Sequence, residues 1–428
     1  MDDPSTYLDE PQAQEEREEL HEIISELVKW ENTNNENVLT EARYEIARSI
    51  ARSHSETAPT DADAILRYLA EKAPPIYDPF CGGGSIPLEV QRLGLRARAS
   101  DLNPVAVLLN KALIELPPNF YDQPPINPDT DSLEGWRGTS GLANDIRYYG
   151  KWMREEAYRS IGHLYPKAQL SDRTEATVIA WLWVPTVTCS NPACRVPMPL
   201  TKTFQLSTRR GNAYWTRPII GQTSRTLSFV VQNHNFGVPD SGTVKRAGVT
   251  CVTCSNSVRL EYVREEARNG NMKEIMAAIV AEGDRGRLFL SPNDVHIETA
   301  LSAQPSWRPR GTIPEQALGI SLQNYGITQW HQLFTDRQLT TLATFSDLIS
   351  EVRQRTVQDG ATEDYADALC TYLALAIGKT ADGGCKGAIW KNSGDFISGI
   401  FTLPAIPIIW VLLRRIRSPV QHKIGWDR

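Results

Sequence analysis

Eight consecutive residues, Asp78-Pro79-Phe80-Cys81-Gly82-Gly83-Gly84-Ser85, and a carboxylate 23 positions after the first of them, Asp101, have the types and spacing to hold a ribose-bearing ligand. Adjacent glycines let the backbone turn with φ above zero and bring it close to a ligand. An acid about 20 residues beyond such a turn accepts hydrogen bonds from ribose hydroxyls. A second set is sulfur: the pairs Cys189-x4-Cys194 and Cys251-x2-Cys254. Two close cysteine pairs on tight turns can bring four thiolates to one tetrahedral zinc, at about 2.3 Å each. Such a zinc is structural, because four protein ligands leave no open coordination position. The alternatives are two unpaired thiol pairs or a redox pair.

The turn needs strands and a helix around it. Pro75-Ile76-Tyr77 reads as a strand ending at Asp78, Ile86–Leu93 as a helix with Pro87 in its first turn, and Arg96–Ser100 as a second strand ending at Asp101. Strand, glycine turn, helix, strand and acid form a nucleotide-type half of a doubly wound sheet. Upstream, apolar residues at helical spacing predict helices over 15–30, 37–53 and 61–72, the first with its acids facing water, the third opened by Thr60 and Asp63. Downstream, Asn103 is placed to cap a helix that starts at Pro104 and ends before Pro117. Loop is expected over 117–132 and helix over 141–160.

From Thr177 the texture becomes β: short runs rich in branched and aromatic residues at 178–187, 203–206, 213–220, 226–232, 243–250 and 257–263. Hairpins among them could carry the chain across the 56 residues that separate the two cysteine pairs. Residues 271–282 read as a helix, Arg287–Leu290 as a strand, 300–315 as loop, 326–357 as a long helix and 364–379 as another. Cys81 falls in the glycine turn and is not expected to act as a nucleophile; Cys370 fits an apolar helix face, and Cys385 has no assigned role.

The glycines of a dinucleotide site follow G-x-G-x-x-G, which fails here because position 87 is proline. Asp-Pro-Phe-x-Gly-x-Gly instead resembles motif I of S-adenosylmethionine-dependent nucleic-acid methyltransferases. Together with Ala99-Ser-Asp-Leu-Asn-Pro-Val-Ala106, Asn110–Glu115, Leu27–Asn32 and Ile161–Pro166, the chain resembles a family of prokaryotic adenine-specific DNA methylases that carry a zinc ribbon. The resemblance implies an α/β fold with a class I, Rossmann-like methyltransferase core, an all-β zinc-ribbon insertion and a helical C-terminal part. The expected division is 1–170, a helical lead-in with the cofactor half; 171–268, the ribbon; and 269–428, mainly helical. The implied cofactor-binding residues are Asp78, Phe80, Gly82, Gly84, Ser85, Asp101 and Asn103, and the zinc ligands Cys189, Cys194, Cys251 and Cys254.

The family transfers its methyl group through Asp/Asn/Ser-Pro-Pro-Tyr/Phe/Trp, whose polar group holds the target amine while the ring stacks on a flipped base. The three double prolines here, at 74–75, 117–118 and 124–125, lack that context, so the catalytic residues stay unassigned. The resemblance places the motif after the ribbon, and this chain is expected to be a fragment, clipped at its start as well. Two functions follow: a DNA adenine-N6 methyltransferase, with the missing motif supplied by a second polypeptide or by an undetected variant, or a non-catalytic module that keeps the cofactor pocket and binds nucleic acid or a partner. A nicotinamide-dependent oxidoreductase is a distant third because of the glycine spacing.

Composition sets limits. Over 428 residues, 41% hydrophobic and 22% charged content is that of an ordinary globular protein of two or three domains. The opening residues lack a signal-peptide pattern, and the longest apolar stretch, 399–413, is too short and too broken by prolines to span a bilayer. A cytoplasmic, membrane-free protein is expected. The net charge of −6 is uneven: twelve acids and two bases occupy residues 1–36, whereas nine bases face one acid over 195–260. DNA contact is therefore expected from Arg209, Arg210, Arg217, Lys245 and Arg246, the alternative being a merely solvated basic face.

Overall fold

A computed structural model describes residues 4–130, 135–234, 236–284, 286–315 and 322–400, and the backbone of 414–417. Most of the apolar stretch 399–413 and of the basic tail after Trp410 lies outside the described residues. The chain divides into two compact units, residues 1–124 with 133–142 and residues 125–132 with 143–428.

The first unit opens with three helices, α1 (Glu10–Leu27), α2 (Glu36–His54) and α3 (Ala62–Lys72). Each starts with an acid or amide that satisfies an otherwise orphaned N–H: Asp9 accepts from Gln12, Asn35 from Asn37 and Asp61 from Ala64. Asp61, not Thr60, is thus the cap of α3. The acids of α1 do not all face water, because Glu16 is held by Arg48 at 2.6 Å and Arg52 at 3.3 Å on α2. Ala47, Ile65 and Leu69 form a small buried centre, with Leu95 packed against it.

This bundle carries the expected strand–turn–helix–strand: β1 (Ile76–Asp78), α4 (Ser85–Arg92) and β2 (Ala97–Ala99). The strands are parallel, with Ile76 opposite Ala97 and Asp78 opposite Ala99. Arg92 fixes the end of α4 by donating to the carbonyls of Thr33 and Leu27 at 3.0 and 3.1 Å. Asn103 caps α5 (Pro104–Asn110) through Val105 N–H, as its sequence predicts. The helix runs on through a π-type turn at Lys111–Glu115 and a further turn at Leu116–Asn119, past its expected end.

The second unit is built on one strand, Val178–Thr188, buried along almost its whole length. It pairs antiparallel with Lys273–Gly283, which returns as Gly286–Leu290. A three-stranded sheet of Gln205–Arg209, Asn212–Ile220 and Leu227–Gln232 covers one face, where Leu182, Leu206, Phe229 and Val280 meet. On the other face Trp181, Ile279 and Met276 pack on Tyr165 and Ile161. Burial on both faces explains the continuous apolar run.

Three expectations need correction. Residues 271–282 are not a helix: Ile275–Ala281 is apolar at every position, which periodicity alone leaves ambiguous, and pairing with Val178–Thr188 decides it. β structure thus continues to Leu290 inside the region read as mainly helical. The strand expected at 257–263 stops at Val258 and becomes the helix Leu260–Arg268, with Val263 and Ala267 on its buried side. The helix expected from 326 starts only at Asp336, where Thr335 and Gln338 form a reciprocal cap. It then runs to Gln358 and packs beside Glu363–Gly383.

Candidate functional site

The turn between β1 and α4 is fastened from three sides. Asp78 accepts from Phe80 N–H at 3.1 Å, Cys81 N–H donates to Ser100 O at 3.0 Å, and Gly84 N–H closes back on Cys81 O at 2.7 Å. Gly82 and Gly84 both have positive φ, +48° and +87°. At Gly84 a Cβ would also lie 2.7 Å from Asn110 Oδ1 and 2.8 Å from Ile114 Cδ1, so any other residue there is strained and displaces these side chains. Gly83 has open space where a Cβ would be, and Gly82 has almost as much.

Asp101 stands at the end of β2. Its Oδ2 accepts from Gly82 N–H at 2.9 Å and its Oδ1 from Asn103 N–H at 2.8 Å. The N–H groups of Asn103 and then Gly82 hold its carboxyl below the usual carboxylate range. It thus ties the glycine turn to the start of α5, and its remaining lone pairs can still accept from a ribose. Phe80 presents its ring to solvent, 76% exposed, and Ser85 opens α4 on the exposed side. Asp78, Phe80, Gly82, Gly84, Asp101 and Asn103 are therefore linked through one turn.

Asn110, to which the sequence reading gave no role, is buried on α5 and donates from Nδ2 to Gly82 O at 3.0 Å. Its place seven residues beyond the Asn103 cap is local, but which flank of the helix meets the turn is set only by the packing. Cys81 is buried beneath the turn; burial and then the charges of Asp101 and Asp78 push its thiol up, the opposite of activation.

In the second unit the four predicted cysteines converge. Each pair sits on a tight turn closed by a residue in the left-handed region, Arg195 after Cys194 and Ser255 after Cys254. Cys189 and Cys254 sulfurs are 3.7 Å apart and those of Cys194 and Cys251 3.8 Å, all four lying within 4.8 Å of one another. Sulfurs at 2.3 Å from a tetrahedral zinc are separated by about 3.8 Å, whereas a disulfide needs about 2.05 Å. The donor set fits zinc. Burial pushes the Cys189 thiol up to about 12, and the Asn256 N–H facing Cys254 pulls that thiol down to about 7.

The predicted DNA contacts fall on two small sheets. Arg209, Arg210 and Arg217 belong to the three-stranded sheet and its turn, while Lys245 and Arg246 occupy the hairpin leading to Cys251. All five are exposed. Arg209 lies 3.8 Å from the buried carboxylate of Asp395, so part of its charge is used internally.

The first unit thus presents two parallel strands joined through the glycine turn and α4. Residues 62–137, from α3 through β1, the glycine turn and Asp101 to Arg137, match the family of D12 class N6 adenine-specific DNA methyltransferases. Searches of the curated proteins and of the solved structures return no match.

Proposed function

We propose that this chain is an S-adenosylmethionine-dependent DNA methyltransferase directed at the N6 amino group of adenine. The observation that carries the reading is the coincidence of the family match with the glycine turn: the matched stretch contains the turn that Asp101 and Asn110 fasten at Gly82. The cofactor would lie against Gly82 and Gly83, with Asp101 accepting from its ribose and Phe80 flanking its base, and it supplies an activated methyl group when bound. The chain's own part is to orient that ligand on a preformed turn.

The four cysteines hold a structural zinc in this reading, and Arg209, Arg210, Arg217, Lys245 and Arg246 meet DNA phosphates, which position the duplex without reading its sequence. A second polypeptide supplies the Asp-Pro-Pro-Tyr-type acceptor motif, which the 428 residues lack. Acting on DNA, the protein works in the cytoplasm; no helix among the described residues is long and apolar enough to cross a membrane.

The lack of the acceptor motif favours a second reading, a non-catalytic module that keeps the cofactor turn and the cysteine cluster and binds nucleic acid or another subunit. Transfer of labelled methyl groups to DNA, assayed with the chain alone and again with a polypeptide carrying the acceptor motif added, separates the two. Incorporation at adenine N6 in either assay supports the enzyme; cofactor binding without transfer in both supports the module.

A further inference from the structure

The second unit contains a concave surface to which neither the cofactor turn nor the cysteine cluster contributes. Its rim is the arch 302–312, Ser-Ala-Gln-Pro-Ser-Trp-Arg-Pro-Arg-Gly-Thr. Both feet of the arch are anchored: Ala303 and Ile313 are 4% and 2% exposed, and Ile313 N–H donates to Thr328 O at 2.8 Å. Thr312 forms a bridge with Gln329, and Pro305 and Pro309 restrict the span between the feet. The chain therefore spends its rigidity on presenting Trp307, 56% exposed, beside Arg308 instead of burying it.

Beneath the arch is a concavity of about 560 Å³ lined by Trp307, Arg308, Arg310, Gln329 and His331. A second, of about 660 Å³, shares Arg308 and His331 with it and continues past Tyr325 and Phe334 to Lys273 and Lys386. Each volume falls in the range of pockets for ligands of nucleotide size. Four permanent cations (Lys273, Arg308, Arg310, Lys386) face two carboxylates, Asp336 at 2.8 Å from Arg308 and Glu274 at 3.8 Å from Lys386. No carboxylate among the described residues pairs with Arg310. Trp183, only 8% exposed, lines the second concavity, and its indole N–H has no acceptor among the described residues.

We propose that these two concavities form a groove for an unpaired nucleic-acid strand, with Trp307 stacking on a base and Arg308, Arg310 and Lys386 contacting phosphates. Aromatic faces interleaved with cations suit single strands, whose bases are free to stack and whose backbone tracks the charge. A duplex hides its base faces, so its charge alone would engage the groove. The inference rests on the nucleic-acid reading above and adds a surface separate from the basic residues near the cysteines.

Fluorescence anisotropy with fluorescein-labelled dT12, in parallel with a labelled hairpin duplex and a labelled poly-glutamate peptide, tests it. Trp307→Ala should weaken dT12 binding about tenfold, within the range for losing one stacked base, and Trp307→Phe should restore most of it. Arg310→Ala should shrink the slope of log affinity against log salt by about 0.7, the value for one phosphate contact on a single strand. Unchanged dT12 affinity in Trp307→Ala, or poly-glutamate binding as tight as dT12, overturns the groove. Calorimetric titration of the same samples with S-adenosylmethionine reports on the methyltransferase reading independently, because the arch shares no residue with the glycine turn.

Discussion

At Gly84 two constraints converge, a left-handed φ of +87° and a neighbouring amide where a Cβ would go. Gly84→Ala is expected to cost the first unit about 1–3 kcal/mol through strain and overpacking, measured by thermal unfolding. Gly84→Val should abolish S-adenosylmethionine binding in calorimetry; retained binding would remove the turn from the cofactor site. Asp101 offers a pH test. Its folded pKa is depressed by N–H donors, so its contribution is fully present above the unfolded value of about 3.9 and is lost as pH falls through the lower folded value. Carbon-13 titration of the Asp101 carboxyl should give a midpoint below about 3.9, and a midpoint at or above it would contradict the hydrogen bonds drawn to Gly82 and Asn103. The residues of this site were legible because turns and caps are local: glycine spacing, an acid at the next strand end and an Asn before Pro104 specify themselves within thirty positions. Asn110 was not legible as part of the site, since nothing local says which helix flank faces the turn.

Among elements, the two cysteine turns show how far local geometry reaches. Each pair is drawn to a tight turn by its own residues, yet their meeting depends on the strands that bring the second turn back across 56 intervening positions. Metal analysis of freshly prepared protein should find one zinc per chain. Cys251→Ser should lose it and loosen the core of Val187, Met198 and Val249 that packs around the cluster. Zinc retained at full occupancy in that variant would argue against four-sulfur ligation. The strand Lys273–Gly283 is the counter-example: its run Ile275–Ala281 would fit a buried helix or a buried strand, and only pairing with Val178–Thr188 chooses. The same limit applies at Leu260–Arg268, where three branched or aromatic residues suggested a strand and a buried helix face prevailed.

At the scale of the whole molecule, the second unit is held by long-range contacts that composition did not announce. Trp181 donates to Nδ1 of His296 at 2.8 Å, and the guanidinium of Arg337, fully buried, stacks over the Trp181 ring at 4.2 Å and donates to Leu164 O. Burial and then the Arg337 charge hold His296 down at about 4. Because the folded value lies below the unfolded one of about 6.5, stability is complete above about 6.5 and declines as pH falls toward 4, by about 3 kcal/mol in all. His296→Gln keeps an acceptor for Trp181 without titrating, so its melting temperature should fall less over that window; an identical slope would assign the pH dependence elsewhere. The sequence by itself determined the glycine turn with its acid, the two cysteine pairs, the opening helices and most of the short strands, because each depends on backbone preference and periodicity over a few residues. Only the tertiary structure decided that Lys273–Gly283 is a strand, that four sulfurs meet, that Asn110 grips the turn and that Trp307 stands on an anchored arch, because these depend on which distant surfaces bury one another, and local propensity is too weak to specify that.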